Sequence, residues 1–335
     1  MKVVRSLDPA VWRRFVAEHP AGNIFCTPEM FQVFAQARGH RPQLWAVTGP
    51  EGAVQALFAP VEVTLRGGPL RRLTSRAVAY GGILCTAGEE GQAALHTLLQ
   101  AYNRSVRGRY LFTELRHLSD TGACQPTLTA CGFAHREHLN YLVDLDRPPE
   151  AILQSIGRRT RKQIRRGLRK GRVVVEEVHR PEKVAHCYDL LRQTYDRVGV
   201  PLADRSLFEA AFKVLVPQGM ARFWLARVGE ANVAVSLELL YRETIYGWYG
   251  GTDRRYSRET PTELLTWHIL HWGAEHGYRL YDFGGAGEPD QEYGVRDFKA
   301  KFGGRLVNYG RNIRIHTPLY YMSRWGYQLY RRMIG

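Results

Sequence analysis

The two halves of this chain repeat one order of secondary-structure elements, and this repetition limits the folds that the chain can adopt. In each half, the residue patterns predict three antiparallel strands, a helix, a strand, a short helix and a last strand. The third strand ends in Tyr80-Gly81-Gly82 in the first half and in Tyr249-Gly250-Gly251 in the second. A chance tripeptide would explain that match alone, but the shared order of elements favours a duplicated unit.

Turn residues and helix-end signals give the expected bounds of these elements. For the first half we predict strands over 42–48, 53–65, 73–80 and 109–115, a strand ending at 145, and helices over 89–106 and 126–131. For the second half we predict strands over 221–228, 231–240, 244–249, 278–283 and 305–315, and helices over 261–276 and 296–301. The first of these two helices begins with Thr260-Pro261-Thr262-Glu263, which is a capping box with proline at the first helical position.

Additional helices are predicted outside the two repeats. Helices over 9–18 and 28–38 precede the first repeat, and a strongly basic helix over 148–170 separates the repeats together with helices over 181–198 and 204–216. Long linkers and low-complexity segments are missing from the sequence. We therefore expect two domains that pack rigidly against each other.

The chain has 335 residues, which is enough for two domains with sizeable cores. We predict an α/β (α+β) protein with domains at 1–145 and 146–316 and a cleft between them. A C-terminal helix over 317–335 would pack back on the first domain. Because that segment is rich in tyrosine and arginine, the alternative is a helix that lies at a membrane interface.

The formal net charge of +15 favours anionic partners such as nucleic acid, phosphorylated metabolites or acidic lipid surfaces. The alternative is a solvated surface in a protein that is generally rich in arginine. The five cysteines are odd in number and have no CxxC spacing, so a disulfide framework or zinc site is not expected. The sequence has neither a signal peptide nor an apolar stretch long enough to span a bilayer, which predicts a cytoplasmic protein.

The positive charge is clustered in one run. Between residues 158 and 172 there are nine cations in fifteen residues. On a helix, Ile152, Ile156, Ile164 and Leu168 would form the buried stripe and the cations would cover the other faces. This density favours binding to a phosphate backbone, although a solvated basic face is the common alternative. The candidate contacts are Arg158, Arg159, Arg161, Lys162, Arg165 and Arg166.

The predicted order of elements resembles the N-acetyltransferase (GNAT) architecture. In that family the acyl donor's pyrophosphate rests on a glycine-containing loop before a helix. The corresponding loop here is Arg254-Arg255-Tyr256-Ser257-Arg258-Glu259, which has no glycine. A bulky, charged loop offers fewer close-packed backbone amides to a pyrophosphate, which disfavours acyl-CoA as the donor.

Two GNAT-like domains without a CoA loop resemble the FemABX family, in the compact form without a coiled-coil arm. The motifs that carry the resemblance are Tyr249-Gly250-Gly251-Thr252, Tyr281-Asp282-Phe283-Gly284-Gly285 and Asp297-Phe298-Lys299 with Phe302-Gly303-Gly304. Members of this family are aminoacyl-tRNA-dependent transferases that add amino acids to the stem peptide of peptidoglycan precursors. The resemblance therefore implies aminoacyl-tRNA and a peptidoglycan precursor as partners, with no cofactor and no metal.

The resemblance also implies roles for particular residues in the second domain. Phe298 and Lys299 match a pair that lies where the aminoacyl ester meets the acceptor amine. A fixed ammonium at Lys299 can stabilise the oxyanion that forms there, or neutralise phosphate at the tRNA end. Tyr249, with Gly250 and Gly251, would lie beside this site and contact substrate. The alternatives are a surface lysine and a core tyrosine, and Lys301 should face away.

Three further candidates concern the acceptor. Arg205 matches an arginine that grips the precursor's diphosphate, and its alternative is a pairing with Glu209. The family's lysine in an N-terminal phosphate-binding segment has no counterpart, and only Arg38 and His40 remain as candidate cations there. Glu114 ends a central strand of the first domain. It would orient or deprotonate the acceptor ammonium, or it is simply an exposed glutamate at a strand end.

Taken together, these features predict an aminoacyltransferase that forms a cell-wall interpeptide-bridge amide on lipid II or on the UDP-MurNAc-pentapeptide stem. We expect a monomer with peripheral contact at the inner face of the membrane. One alternative is an acyl-CoA-dependent N-acyltransferase that modifies envelope polysaccharide or an amino compound. Another is a basic tRNA- or membrane-binding protein on a decayed transferase fold.

Overall fold

The structure is a computed structural model, and it describes residues 1–64 and 75–321. The chain forms two compact units, one of Met1–Glu137 with the residues from Tyr309 onward, and one of His138–Asn308. These boundaries differ from the expected division after residue 145, because the strand before that residue pairs with strands of the second unit. The proposed C-terminal helix over 317–335 lies mostly outside the described residues.

The first unit contains two sheets in its described part. One sheet has the order β1-β3-β4-β7 and the other has the order β2-β5-β6-β8-β17-β9. The strands are β1 (Lys2–Val4), β2 (His40–Pro42), β3 (Trp45–Thr48), β4 (Val54–Phe58), β5 (Val61–Thr64), β6 (Ser75–Tyr80), β7 (Leu84–Cys85), β8 (Phe112–Arg116), β9 (Ala134–Arg136) and β17 (Arg311–Ile315). The helices are α1 (Pro9–Glu18), α2 (Pro28–Gln36), α3 (Gly88–Val106) and α4 (Gln125–Ala130).

Helix α3 supplies much of this unit's core. Its apolar residues recur at helical spacing, so Leu95, Leu98, Leu99 and Tyr102 fall on one face and are all fully buried. The ring of Tyr102 packs edge-on against neighbouring aromatic rings of the sheet, and its hydroxyl lies 2.8 Å from Oγ1 of Thr113. The helix therefore covers the sheet, and the buried phenol of Tyr102 has a hydrogen-bond partner in Thr113 of β8.

The second unit is built on one seven-stranded sheet with the order β11-β12-β13-β14-β15-β10-β16. The strands are β10 (Leu139–Asp144), β11 (Val173–Glu177), β12 (Ala221–Val228), β13 (Ala231–Tyr241), β14 (Thr244–Thr252), β15 (Leu280–Gly285) and β16 (Arg305–Asn308). The helices are α5 (Pro149–Ser155), α6 (Arg158–Lys170), α7 (Val184–Val198), α8 (Arg205–Leu215), α9 (Pro261–Glu275) and α10 (Gly294–Ala300). Among the described residues, no helix combines the length and apolar character needed to cross a membrane.

The two units share an arrangement of a parallel strand pair beside antiparallel strands. In the first unit β6 pairs in parallel with β8, and in the second β14 pairs in parallel with β15. The strand predicted over 305–315 is in fact two strands, β16 and β17, which belong to different sheets. Gly310 between them has φ +69°, a left-handed conformation that allows the chain to turn there.

The two Tyr-Gly-Gly sequences have different structures. Gly81 and Gly82 follow β6 and have φ values of +75° and +79°, so they form a turn as predicted. Gly250 and Gly251 lie inside β14, which continues to Thr252, and their φ values are not in the left-handed region. The prediction that the second pair follows a strand is wrong, because β13 is long enough to continue pairing with β14.

The start of α9 also differs from the prediction. Thr260 has φ +52° and its side chain forms no capping hydrogen bond, so the predicted capping box is not formed. Proline at the first helical position is present as predicted. The preceding residues, Arg254–Glu259, form a short 3₁₀ turn whose geometry brings Thr260 into the left-handed region.

Substitution of the β14 glycines should separate close packing from strand geometry. A Cβ on Gly251 would lie 2.7 Å from the carbonyl oxygen of Leu190 in α7, whereas a Cβ on Gly250 would meet nothing closer than 3.7 Å. We expect Gly251→Ala to lower the free energy of unfolding by about 1–3 kcal/mol, because a backbone atom must move. Gly250→Ala is the matched control, and we expect a change within about 1 kcal/mol. Urea unfolding of both variants measures this, and equal losses would contradict it.

Candidate active site

The sheet of the second unit opens between β14 and β15. These strands pair in parallel only where Thr244–Tyr246 meets Leu280–Asp282. Beyond these residues β14 continues along β13, whereas β15 continues along β10. An irregularity in β14 leaves Trp248 between the residues that pair with β13, and such a bulge increases the local twist. The two strands therefore diverge and leave an opening bordered by polar backbone.

The side chain of Lys299 is hydrogen-bonded to the end of β15, which forms one border of this opening. Its side chain, on α10, is 8% exposed. Its Nζ donates hydrogen bonds to the carbonyl oxygens of Phe283 at 2.6 Å and Gly285 at 2.7 Å, both at the end of β15. Burial lowers the pKa of Lys299 to about 8, and the charge of nearby Asp282 opposes this effect. An ammonium has three donors, so one remains for a ligand.

Asp282 holds the same turn from inside the sheet. Its Oδ1 accepts the backbone N–H of Gly284 at 2.7 Å, and Gly284 has φ +71°. The side-chain amide of Asn140 on β10 lies 3.4 and 3.5 Å from the two carboxylate oxygens. Burial raises the pKa of Asp282 to about 6. Asp282 therefore caps the glycine turn, which is a common role for aspartate.

Aromatic residues line the β14 border. The ring of Tyr249 packs edge-on against Phe208 of α8 with centroids 4.8 Å apart, and its centroid lies 5.8 Å from that of Tyr195 on α7. Trp248 packs against Tyr249 at 5.0 Å. Burial raises the pKa of Tyr195 to about 12. Tyr249 therefore lies on β14, and Lys299 is hydrogen-bonded to the end of β15, so each residue belongs to one border of the opening. That the two lie side by side stays a prediction.

Phe298 and Lys301 have other roles in this region. Phe298 is half-buried, and its ring packs edge-on against the fully buried ring of Phe302 at 5.3 Å. It therefore anchors α10 to the core and fixes the position of Lys299. The ammonium of Lys301 lies 5.4 Å from the centroid of the Phe298 ring, away from the carbonyls that bind Lys299. The expectation that Lys301 faces elsewhere agrees with this geometry.

A buried carboxyl group that was not predicted from the sequence lies in the adjacent strands. Glu238 on β13 is 1% exposed, and its Oε1 accepts a hydrogen bond of 2.5 Å from the Ser236 hydroxyl. A Cβ on Gly247 would lie only 2.7 Å from the Tyr281 hydroxyl. Because glycine has no side chain, there is space at Gly247 for the Tyr281 phenol. Burial raises the pKa of Glu238 to about 7 and also raises the pKa of Tyr281. A glutamate inside the apolar run of β13 was the available signal.

The basic run forms helix α6, with most of its cations exposed to solvent. Arg165 pairs with Glu150 at 2.8 Å, and Arg161 donates to the backbone carbonyl of Gln154. In the part of the chain that the structure describes, several of the other cations form no ion pair, and these are Arg158, Arg159, Lys162, Arg166 and Arg169. They are available to bind phosphate.

The buried face of α6 differs from the prediction. The helix predicted over 148–170 is two helices, α5 and α6, which separate at Ile156 and Gly157. Ile152 in α5, Ile156 after it and Ile164 in α6 are buried as expected, but Leu168 is 56% exposed. The stripe passes through Thr160 and Ile164 to Gly167, where a Cβ would lie 2.7 Å from Cδ1 of Leu264 on α9. The lack of a side chain at Gly167 allows α9 to approach closely, and the helix therefore turns Leu168 outward.

The remaining candidates are not on the two strands that border the opening. Arg205 is at the start of α8 and pairs with Glu209 at 2.7 Å, as its structural alternative predicts, and about half of its side chain is exposed. Arg38 is exposed and belongs to the first unit. The ring of His40 stacks on Phe34 with centroids 5.8 Å apart.

Glu114 of the first unit is a buried and paired carboxylate. It is 7% exposed, so the alternative of an exposed strand-end glutamate is wrong. One oxygen lies 2.8 Å from Arg116 and the other 2.7 Å from Arg311. Burial would raise its pKa, but the two guanidinium groups outweigh this effect and hold it at about 2. A carboxylate this acidic is a weak base at neutral pH, so orientation fits it better than deprotonation.

Comparisons with known proteins agree with this architecture. A family model described as an acetyltransferase (GNAT) domain matches residues 158–299, which extend from α6 to Lys299. The lipid II:glycine glycyltransferase of Staphylococcus saprophyticus is 23% identical over 253 residues, with 52% of this chain covered. The match spans 60% of that relative's length.

A crystal structure of FemX is similar over 96% of this chain and 99% of its own, with a TM-score of 0.73 and 18% identity. The fold of this chain is therefore similar to that of FemX. A tandem GNAT protein from the clavulanic acid pathway is also similar, with a TM-score of 0.60, 13% identity and coverage of 95% of this chain and 99% of its own. These likenesses confirm the predicted GNAT-like fold.

In this chain, the loop before α9 is a charged surface. Arg254 and Arg258 are exposed, and Arg255 pairs with Asp253 at 2.6 Å. Glu259 pairs with Lys170 at 3.5 Å and with Arg172 at 3.1 Å, which ties the loop to the C-terminal end of α6. The basic surface of α6 therefore extends to the residues at the start of α9.

Proposed function

We propose that this protein transfers an amino acid from aminoacyl-tRNA to an amine of a peptidoglycan precursor and so forms an interpeptide-bridge amide. The observation that carries the proposal is the Lys299 ammonium, which is fixed on two carbonyl oxygens beside the opening between β14 and β15. Similarity to a protein named lipid II:glycine glycyltransferase supports this acceptor class.

The chemistry needs few groups from the protein. The acceptor amine attacks the carbonyl carbon of the aminoacyl ester, the C–N bond forms, and the C–O bond to the terminal ribose breaks. The amine loses a proton and the ribose hydroxyl gains one. The free donor of Lys299 would stabilise the oxyanion between these steps. Because an aminoacyl ester is already activated, correct placement of the two substrates supplies much of the rate.

We assign the donor's phosphate backbone to the exposed face of α6. Its unpaired cations are dense and lie on one rigid element, which suits sequence-independent contact with phosphates. We assign the acceptor to Tyr249, Gly250 and Gly251 on β14, with Arg205 at the precursor diphosphate. Release of Arg205 from its exposed pair with Glu209 would cost little, because such pairs contribute at most about 1 kcal/mol.

Arg38 and Glu114 in the first unit remain proposed contacts of the acceptor. Glu114 stays ionised at neutral pH, so it would attract the acceptor ammonium rather than accept its proton. We further propose that the enzyme acts at the inner face of the membrane, where a lipid-linked precursor is exposed. The rival donor is acyl-CoA, and the charged loop Arg254–Glu259 argues against it.

Replacement of Lys299 should abolish most of the transfer. With labelled aminoacyl-tRNA and either lipid II or the UDP-linked pentapeptide, we expect Lys299→Met to lower kcat about 10²–10³-fold, as for loss of one oxyanion donor. Lys301→Met is the control, because Lys301 lies over the Phe298 ring, and we expect a change of less than about threefold. Full activity of Lys299→Met, or transfer from acetyl-CoA with none from tRNA, would refute the proposal.

Removal of charge from α6 should weaken tRNA binding and reduce its dependence on salt. The slope of log K against log salt is negative, and each phosphate contact contributes about 0.7–0.9 to its magnitude. We expect the variant with Arg158→Gln, Arg159→Gln and Lys162→Gln to reduce that magnitude by about 2–3. Lys183→Gln is the control, because Lys183 pairs with Glu176. Filter binding with tRNA between low and moderate salt measures both, and identical slopes would exclude α6 as the contact.

A further inference from the structure

The turn at the end of β15 is held by two buried charged residues. Lys299 binds the carbonyl oxygens of Phe283 and Gly285, and Asp282 binds the N–H group of Gly284 between them. One lysine and one aspartate therefore form hydrogen bonds with backbone groups of three consecutive residues. The orientation of the lysine consequently depends on the conformation that the aspartate gives to the turn.

The two side chains also act on each other electrostatically. Asp282 is 4% exposed and Lys299 is 8% exposed, so water screens their charges weakly. The charge of Asp282 raises the pKa of Lys299 against the effect of burial, and the charge of Lys299 lowers the pKa of Asp282 against the same effect. Each residue thus favours the ionised form of the other.

The groups that face this pair are few in the described part of the chain. On β15 the Tyr281 phenol acts on Asp282, and on β10 the neutral Asn140 amide contacts it. On β14 the Tyr246 hydroxyl lies 3.0 Å from where a Cβ on Gly284 would be. Glu238 on β13 interacts with Tyr281 rather than with Lys299. Asp282 is therefore the anionic group that acts on Lys299.

We propose that Asp282 is a positioning residue that keeps the Lys299 ammonium both charged and directed into the opening between β14 and β15. The inference rests on the proposed function for its catalytic meaning. The effect of Asp282 on the charge of Lys299 does not depend on any substrate. Asp282 itself does not contact the reacting atoms in this account.

The variant Asp282→Asn separates charge from turn geometry. The amide oxygen of asparagine can still accept the Gly284 N–H, so the turn is kept while the negative charge is removed. Without that charge, the ammonium is less stable and the pKa of Lys299 falls below about 8. A residue with only a structural role would leave this pKa unchanged.

The experiment is an NMR titration of protein labelled with ¹³C- and ¹⁵N-lysine. The chain has seven lysines, and Lys299→Arg assigns the signal of interest. We expect Asp282→Asn to lower the pKa of Lys299 by about one unit or more. An unchanged pKa would overturn the proposal, and the result is readable even if the protein transfers nothing.

Two further readouts complete the test. In the wild-type protein, the Lys299 signal should show a second inflection near pH 6 as Asp282 titrates, which needs no variant to fold, and its absence would overturn the proposal. In transfer assays, the alkaline limb of kcat/KM should move to lower pH by the same shift in Asp282→Asn. Loss of activity without that movement would indicate a structural role only.

Discussion

The divergence of β14 from β15 is the constraint on which the candidate site depends. Two parallel strands that pair for only a few residues leave unpaired backbone groups at their ends, and buried groups of this kind need other partners. The protein supplies them from side chains. Lys299 satisfies two carbonyls of β15, and Asp282 satisfies the N–H group between them. The same contacts that complete the sheet therefore place an ammonium beside the opening.

The cost of this arrangement is the burial of charge. Lys299 and Asp282 are each more than nine-tenths buried and so lose solvation. Burial lowers the pKa of the lysine and raises the pKa of the aspartate, and both shifts favour the neutral form. Their mutual attraction offsets part of this loss. Glu114 in the first unit differs, because two arginines hold its pKa at about 2 and keep it ionised. With a pKa of about 8 for Lys299 and about 2 for Glu114, both residues are mainly charged at neutral pH, which suits each of them to an electrostatic role.

Much of the fold could be predicted from the sequence, because the order of elements depends on local patterns. Hydrophobic periodicity identified α3 and the long strands, and the Phe298-Lys299 pair directed attention to the opening in the sheet. The boundary between units could not be predicted in this way. Whether Leu139–Asp144 pairs within the first or the second unit depends on long-range hydrogen bonds that a local pattern does not encode.

Errors within the site have a similar origin. Gly251 lies within β14, and its lack of a side chain admits the backbone of α7, so the need for glycine there comes from tertiary packing and not from a turn. Leu168 faces solvent because Gly167 takes its place against Leu264. The Tyr281 hydroxyl, which interacts with the buried Glu238, occupies space that a side chain at Gly247 would need. In each case a glycine determines the packing, and the sequence alone does not reveal which neighbour uses the space.

The most direct test of the central claim is the mass of the cell-wall peptides that this protein is proposed to modify. Muropeptides from the host, with and without the gene, would be digested and compared by mass spectrometry. We expect stem peptides to lose the mass of one or more amino-acid residues when the gene is absent, and to regain it with the wild-type protein but not with Lys299→Met. Muropeptides of identical mass in all strains, or a difference equal to an acetyl group, would contradict it.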